Sequence, residues 1–500
     1  MIIETIKLYE LGLIPEFFLS ISIIYILMYG LFASFNSINR FPLLQPSLIS
    51  LSLLCLIMVC FLLMNENLNC QNYINFCNTI STDYLSFSAK LIINISSIMC
   101  LLYIQNYLET QKINSFEYTL ILLFAVLGLF LLCSANDLLT AYLAIELQSL
   151  AFYVLAAFKK TSTYSTESGL KYFILGAFSS GLFLFGSSLI YGTCGSINFD
   201  DLKDLWILNS DLPYNHYNLM IIGLMFVYVS LFFKLSLAPF HVWSPDVYEG
   251  SPTSSTLYFV IVPKISLFVL LLRLAYYVFP NISQIWQESL IIIALSSILI
   301  GSVTGLEQRK FKSLLAYSSI SNMGYLLISF STNSLGGLQA LFSYIVIYIF
   351  SGLCIWSVFM FIRLKTIHND KQNKDLGDFA LLFKSNSFMS GILSTALFSL
   401  AGLPPMIGFL VKISIFLVAV EESLYLISLI SIVLSVISTF FYLRIIKIMF
   451  FEPILVGCLY YPIKTNITMI AAFTFYLFIF LFINPSILYL FSQKAIFLLV

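Results

Sequence analysis

The sequence predicts an all-α, polytopic membrane protein, and three observations carry that prediction. Of its 500 residues, 60% are hydrophobic and only 10% are charged, too little charge to cover the surface of a soluble protein of this size. Apolar runs of about 20 residues, the length that crosses a bilayer core, recur from end to end. Basic residues collect in alternate connections between those runs. The formal net charge is zero, so electrostatics gives no basis for a nucleic-acid partner. The 48 Phe and 30 Tyr are the bias of an AT-rich genome such as an organelle's, which favours a mitochondrial inner membrane over a bacterial plasma membrane.

Fourteen spans are predicted, near 11–34, 43–64, 84–107, 115–135, 138–157, 168–194, 218–240, 254–279, 284–304, 312–331, 335–361, 386–418, 423–443 and 465–492. The first is long enough to span, and no cleavable targeting segment is evident before it. Connections after odd-numbered spans hold Arg40, Lys112, Lys159, Lys160, Arg309, Lys310, Lys312, Arg363, Lys365, Lys371, Lys374, Lys384, Arg444, Lys447 and Lys464. Those after even-numbered spans hold only Lys203. The basic connections should therefore face the cytoplasm or matrix, and both termini the opposite side.

The first three spans, within 1–114, carry no motif. Span 5 places Glu146 near mid-membrane, within Leu143-Ala-Ile-Glu-Leu-Gln-Ser149. A lone ionised carboxylate is too costly there, so Glu146 is either a hydrogen-bonded structural carboxyl or a proton carrier. In span 6, Gly176, Ser179 and Ser180 read mainly as close packing, and Lys171 near the inner end either snorkels or relays protons. Span 7 carries Lys234 five residues before Pro239. Proline lacks an N–H and clashes with the carbonyl four residues back, so this helix should break beside Lys234. Such a break is tolerated in lipid only where it faces protein or water. His241, at the inner end of that span, suits a capping role and proton transfer equally.

Span 8 places Lys264 after Pro263, about a third of the way in. Span 10 carries Tyr317, Ser318, Ser319, Ser321 and Asn322, polar groups that either pack between helices or order water. Span 12 contains Ala401-Gly-Leu-Pro-Pro405 and then Lys412, a second proline break near a buried lysine. Spans 7 and 12 are an odd number of helices apart, so they run in opposite directions. That arrangement predicts two inverted five-helix repeats, 115–279 and 280–450, followed by an anchoring helix in 451–500. The inner connection 362–385 reads as a solvated amphipathic linker.

Nine scattered cysteines include no CxxC, and the three histidines are dispersed, so no metal site and no iron–sulfur cofactor is expected. Cys70 and Cys77 share one connection and are either a disulfide or two free thiols.

These residues form a recognisable set. Lys234-Leu-Ser-Leu-Ala-Pro-Phe-His-Val-Trp-Ser-Pro-Asp-Val-Tyr-Glu-Gly-Ser-Pro252, Gly169-Leu-Lys-Tyr-Phe-Ile-Leu-Gly-Ala-Phe-Ser-Ser180 and Leu314-Leu-Ala-Tyr-Ser-Ser-Ile320 resemble the antiporter-like membrane subunits of respiratory complex I. The segments around Glu146 and Pro404-Pro405 resemble them too. The likeness covers roughly 115–450, and the Pro-Asp-Val-Tyr-Glu-Gly form is similar to the subunit 2 branch. The resemblance implies a proton-translocating subunit of NADH:ubiquinone oxidoreductase, with redox cofactors held by other chains. It implies that Glu146, Lys234, Lys264 and Lys412 carry protons, with Lys171, His241, Tyr317, Ser318 and Asn322 as further relay candidates. Expected partners are the antiporter-like subunit 4, the small subunit 4L and the lipid bilayer. One departure stands out: Asn322 occupies a position where the family commonly has histidine. The competing readings are a stand-alone or Mrp-type cation/proton antiporter, and a scaffold that conducts nothing.

Overall fold

The computed structural model describes residues 13–33, 45–65, 73–111, 115–208, 214–365, 370–372, 375–452, 459–460 and 465–497. The chain divides into two compact units. One comprises Met1–Leu235, Gly250–Ser283 and Ala495–Val500, and the other Ser236–Glu249 and Gln284–Lys494.

The first unit holds α1 (Ile14–Ala33), α2 (Gln45–Asn65), α3 (Tyr84–Gln111), α4 (Glu117–Ser134), α5 (Leu138–Ala156), α6 (Thr163–Cys194), the short α7 (Phe199–Leu208) and α8 (Tyr214–Leu235). After α9 (Trp243–Gly250) the chain forms α10 (Thr253–Ile261) and α11 (Pro263–Leu272), then a π-helical turn, Arg273–Val278. Pro263 stands at the first position of α11, where its missing N–H has no intrahelical partner to lose. The stretch Thr253–Ala275 is buried throughout and packs on α3, α4, α5 and α8. Helices α6 and α8 pack against each other, with Gly186 and Gly223 face to face.

Buried charge ties the elements of this unit together. Glu16 of α1 and Lys90 of α3 form an ion pair with both side chains enclosed. Arg273 at the π turn pairs with Asp83 at 2.6 Å. A hairpin of β1 (Tyr73–Asn75) and β2 (Ile80–Thr82) lies by the start of α5, where Asn136 N–H donates to Thr79 O at 3.0 Å. Asn136 also donates to Asp200 of α7 at 3.0 Å, and Tyr277 donates to the same carboxylate at 2.5 Å. Asp137 stands at the N-cap of α5. Burial first, with the charges of Asp201 and Asp200 adding to it against a hydrogen bond from Asn198, raises its carboxyl to about 6.

The second unit contains α12 (Ser283–Glu307), α13 (Phe311–Ser331), α14 (Leu335–Phe361), α15 (Leu382–Ser385), α16 (Ser387–Ala401), α17 (Ile407–Glu421), α18 (Tyr425–Phe450), α19 (Thr465–Ile483) and α20 (Pro485–Phe497). A small sheet orders β4 (Asp370–Gln372), β3 (Arg363–Lys365) and β5 (Leu459–Tyr460). Helix α14 is almost wholly enclosed and packs on α13, α16, α17 and α19.

Among the described residues, eleven helices are long and apolar enough to cross a membrane, and each lies at one of the fourteen predicted spans. The other three predicted spans differ from a single apolar helix. Helix α13 is 21 residues long but holds six serines, two tyrosines and Asn322. The span predicted over 386–418 is two 15-residue helices, α16 and α17. The last, predicted as one helix over 465–492, is α19 and α20 meeting at 86°. Pro485 is the reason for that correction: it cannot continue α19 and instead opens α20. The connection between the predicted spans 168–194 and 218–240 holds a short helix, Phe199–Leu208. Cys77 is a free thiol, and Cys70 lies outside the described residues.

Candidate functional site: charged half-helices

Helix α8 ends at Leu235, one residue past Lys234. Pro239 accounts for the stop: it would clash with the Leu235 carbonyl in a continuing helix. Ser236 takes a positive φ of 60°, and the Ala238–Pro239 peptide is cis. Lys234 thus lies in the last turn of its helix, where unpaired carbonyls and the macrodipole favour a cation. It is half-buried, and its Nζ donates to the Tyr153 hydroxyl at 3.2 Å.

Tyr153 lies seven residues after Glu146 on α5, which places both on one face. Glu146 is half-buried, and its Oε1 is enclosed without a hydrogen-bond partner among the described residues. It acts electrostatically on Lys234 and Tyr153, but no direct Glu146–Lys234 ion pair forms in this state. The Ser149 hydroxyl, between them on α5, donates to the Glu146 carbonyl at 3.2 Å and lies beside Tyr153. The Tyr153 ring meets Tyr172 edge-on at 4.8 Å and Phe173 at 5.6 Å. Gly176 leaves the space its hydroxyl occupies: a Cβ there would come within 2.0 Å of that oxygen.

Lys264 is the second residue of α11 and is only 3% exposed. Lys171 is exposed on α6 and pairs with Glu167 at 3.0 Å.

In the second unit, α16 ends at Gly402, which takes a left-handed φ of 79°. The Pro404–Pro405 peptide is cis, and α17 begins at Ile407. Lys412 is 4% exposed and reaches back across this break. Its Nζ donates to Leu400 O at 2.6 Å and Ala401 O at 3.1 Å, and it lies 5.0 Å from the centre of the Tyr325 ring. Both lysines therefore sit at the C-terminal, negative end of a half-helix. Lys234 precedes its break in sequence, whereas Lys412 follows its own.

Around Asn322 the second unit gathers tyrosines. Tyr344 donates to Asn322 Oδ1 at 3.0 Å, and Tyr442 lies beside Ser318 and Asn322. Ser318 donates to its own helix at Leu315 O, 2.8 Å. Tyr317 is half-buried within electrostatic reach of Asp246. The His241 carbonyl caps the start of α9, accepting from Ser244 N at 2.9 Å and Ser244 Oγ at 3.0 Å. Glu249 of the Pro-Asp-Val-Tyr-Glu-Gly motif pairs with Lys310. Sequence reasoning missed Tyr153, Tyr325, Tyr344 and Glu16–Lys90. The seven-residue spacing from Glu146 was a usable signal for Tyr153. Among the described residues no group of His, Cys, Asp and Glu is arranged to hold a metal ion.

A family model described as NADH:quinone oxidoreductase/Mrp antiporter, transmembrane region, matches residues 135–438. The chain is 39% identical over 440 residues to NADH-quinone oxidoreductase subunit N of Pelagibacter ubique, spanning 88% of this chain and 89% of that one. It is 37% identical over 486 residues to NADH-ubiquinone oxidoreductase chain 2 of Marchantia polymorpha, spanning 97% of each. Among solved structures it resembles a chain of respiratory complex I from Thermus thermophilus, with a TM-score of 0.76 at 25% identity. That alignment covers 95% of this chain and 98% of the other.

Proposed function

The chain belongs to the family of NADH:quinone oxidoreductase and Mrp antiporter membrane subunits, and from that premise we propose how its buried charges move protons. It is a multi-pass, proton-translocating membrane subunit of respiratory complex I, in a mitochondrial inner or bacterial plasma membrane. The complex as a whole is the H+-translocating NADH:quinone reductase, and its redox chemistry is carried by other subunits. The relatives with 37–39% identity are complex I subunits, which favours this reading over a stand-alone or Mrp-type antiporter.

Glu146, Lys234, Lys264 and Lys412 form the proton-carrying series, one carboxyl and three amines within apolar helices. The observation that carries this reading is Lys234 at a broken helix end, with a neutral hydroxyl in reach and a carboxylate on the same neighbouring face. Burial disfavours an ammonium and a nearby carboxylate favours it, so moving one relative to the other loads or unloads a proton. The scale is adequate: expelling one charge against 100 mV takes about 2.3 kcal/mol, and a change of two pKa units supplies about 2.7 kcal/mol. The driving force comes from neighbouring membrane subunits, which we assign to subunit 4 and the small subunit 4L. No cofactor is assigned to this chain. Asn322, with Tyr344 and Tyr442 beside it, takes the place of a titrating relay in the second half by ordering hydroxyls and water.

The test is Lys234→Ala in the fully assembled complex. A lowered proton-to-electron ratio is expected. An unchanged ratio with normal assembly would remove Lys234 from the pathway.

A further inference from the structure

We propose that the Tyr153 hydroxyl is a second docking position for the Lys234 ammonium, so that Lys234 alternates between a neutral acceptor and the Glu146 carboxylate on one face of α5. This rests on the proton-carrying reading above and adds to it a positioning residue and a geometry for the switch. Lys234 Nζ lies 3.2 Å from the phenol oxygen but 5.7 Å from the ring centre, so the hydroxyl, rather than the ring face, holds it. Glu146 Oε1 is enclosed and without a hydrogen bond among the described residues, so the carboxylate stands ready on the same face.

The geometry of an α-helix makes the exchange short. Seven residues are two turns, about 10 Å along the axis. Helical side chains lean toward the N-terminus, so the long phenol of Tyr153 points back toward Glu146. Ser149 sits between them, beside the Tyr153 hydroxyl. The ring is clamped by Tyr172 and Phe173, and the absent side chain of Gly176 forms the slot for its oxygen. A site built this closely around one hydroxyl is more than the filling of space by an aromatic ring. An ammonium beside a carboxylate holds its proton more tightly than one beside a neutral phenol. Occupying Tyr153 is therefore the releasing state and occupying Glu146 the holding state. The titratable and charged groups around this hydroxyl are Glu146 on its own helix, Lys234 on α8, Tyr172 on α6 and Tyr258 on α10, which packs on the adjacent Phe152.

Tyr153→Phe keeps the ring and removes the acceptor. In the assembled complex, Lys234 should then rest on Glu146, and the pH optimum of coupled NADH oxidation should move up by about one unit, a tenfold change in proton occupancy. In a Glu146→Gln background the same substitution should move the optimum no further. An unchanged optimum in Tyr153→Phe overturns the proposal, including the case where only the amount of assembled complex falls. If Glu146→Gln and Lys234→Ala both leave the proton-to-electron ratio unchanged, the proton-carrying reading itself fails. If they lower it while Tyr153→Phe moves nothing, only the Tyr153 assignment fails. Should Tyr153→Phe not assemble, density for the wild-type complex during turnover decides the matter. Lys234 on Tyr153 in one state and toward Glu146 in another supports the switch, and Lys234 on Glu146 in every state overturns it.

Discussion

The ammonium of Lys412 donates to the carbonyl of Leu400 at 2.6 Å, so the first half of a broken span is capped by a side chain from the second half. The last carbonyls of a helix have no intrahelical partner, and a break inside a membrane leaves them without water as well. Lys412 satisfies two of them, at Leu400 and Ala401. One residue thus combines a structural cap with a titratable group. Its loss of charge during a proton-transfer cycle would weaken that cap and couple protonation to the geometry of the break.

Replacing Lys412 by Met should therefore have two separable effects. Hydrogen bonds from a charged group are worth about 1.5–3 kcal/mol, so the unfolding free energy should fall by roughly that amount as α16 loses its cap. Proton-to-electron stoichiometry should fall as well. Lys412→Arg should recover most of the stability, because guanidinium caps carbonyls, but little of the pumping, because arginine does not release its proton. Thermal denaturation of the purified complex, paired with a stoichiometry measurement in vesicles, checks both.

Gly402 should prove nearly as sensitive as the lysine it faces. Its φ of 79° is strained for any residue with a side chain, and a Cβ there would come within 2.7 Å of Lys412 Cδ. The backbone strain alone is about 1–2 kcal/mol. Gly402→Ala is expected to lower stability by about that much and to displace Lys412 from its carbonyls, reducing pumping while Lys412 itself is intact. Normal stability and pumping in this variant would show that the break tolerates a side chain.

The break after Lys234 was legible in sequence because proline acts on a residue at a fixed distance: Pro239 addresses Leu235 directly, and α8 ends there. The contact of Lys412 with Leu400 was not, because it requires the chain to double back by a turn whose shape depends on Gly402 and the two prolines together. The fold class followed from composition, the length of the apolar runs and the alternation of basic connections, none of which depends on tertiary contacts. The bend at Pro485 was missed because the hydropathy of 465–492 is continuous through it. Lys90 escaped notice because a single lysine near a span end ordinarily snorkels to the interface, and its partner Glu16 is distant in sequence. Burial of both is a property of how α1 lies against α3 and cannot be read from either segment.

That pair makes an asymmetric prediction. Glu16 and Lys90 are 6% and 2% exposed, so removing one leaves an uncompensated buried charge. Such a change typically costs about 3–5 kcal/mol, whereas replacing both with apolar or neutral groups is often close to neutral. Lys90→Met should therefore destabilise the N-terminal helices strongly, and Glu16→Gln/Lys90→Met should recover most of the loss. The pair belongs to no proton-carrying group proposed above, so the double variant should keep its proton-to-electron ratio. Thermal unfolding and vesicle acidification on the two variants test this, and a double variant as unstable as the single one would show that the pair does more than neutralise itself.

Asp137 provides a pH-dependent test away from the buried lysines. Burial, reinforced by Asp201 and Asp200, raises its carboxyl to about 6 in the folded protein, against about 3.9 in an unfolded chain. Between those values the folded state binds more protons than the unfolded one, so stability falls as pH rises through the window and the loss is complete above about pH 6. Asp137→Asn removes the charge and keeps a good N-cap for α5, since asparagine caps helix N-termini as well as aspartate does. The variant should therefore be more stable than the parent at pH 8, by about 1 kcal/mol once the partial solvent access of the site is allowed for. The advantage should disappear near pH 4, where the parent carboxyl is already protonated when folded. Melting temperatures of parent and variant across pH 4–8 would display this as two curves that converge on the acid side, and parallel curves would show that Asp137 is not the group that titrates.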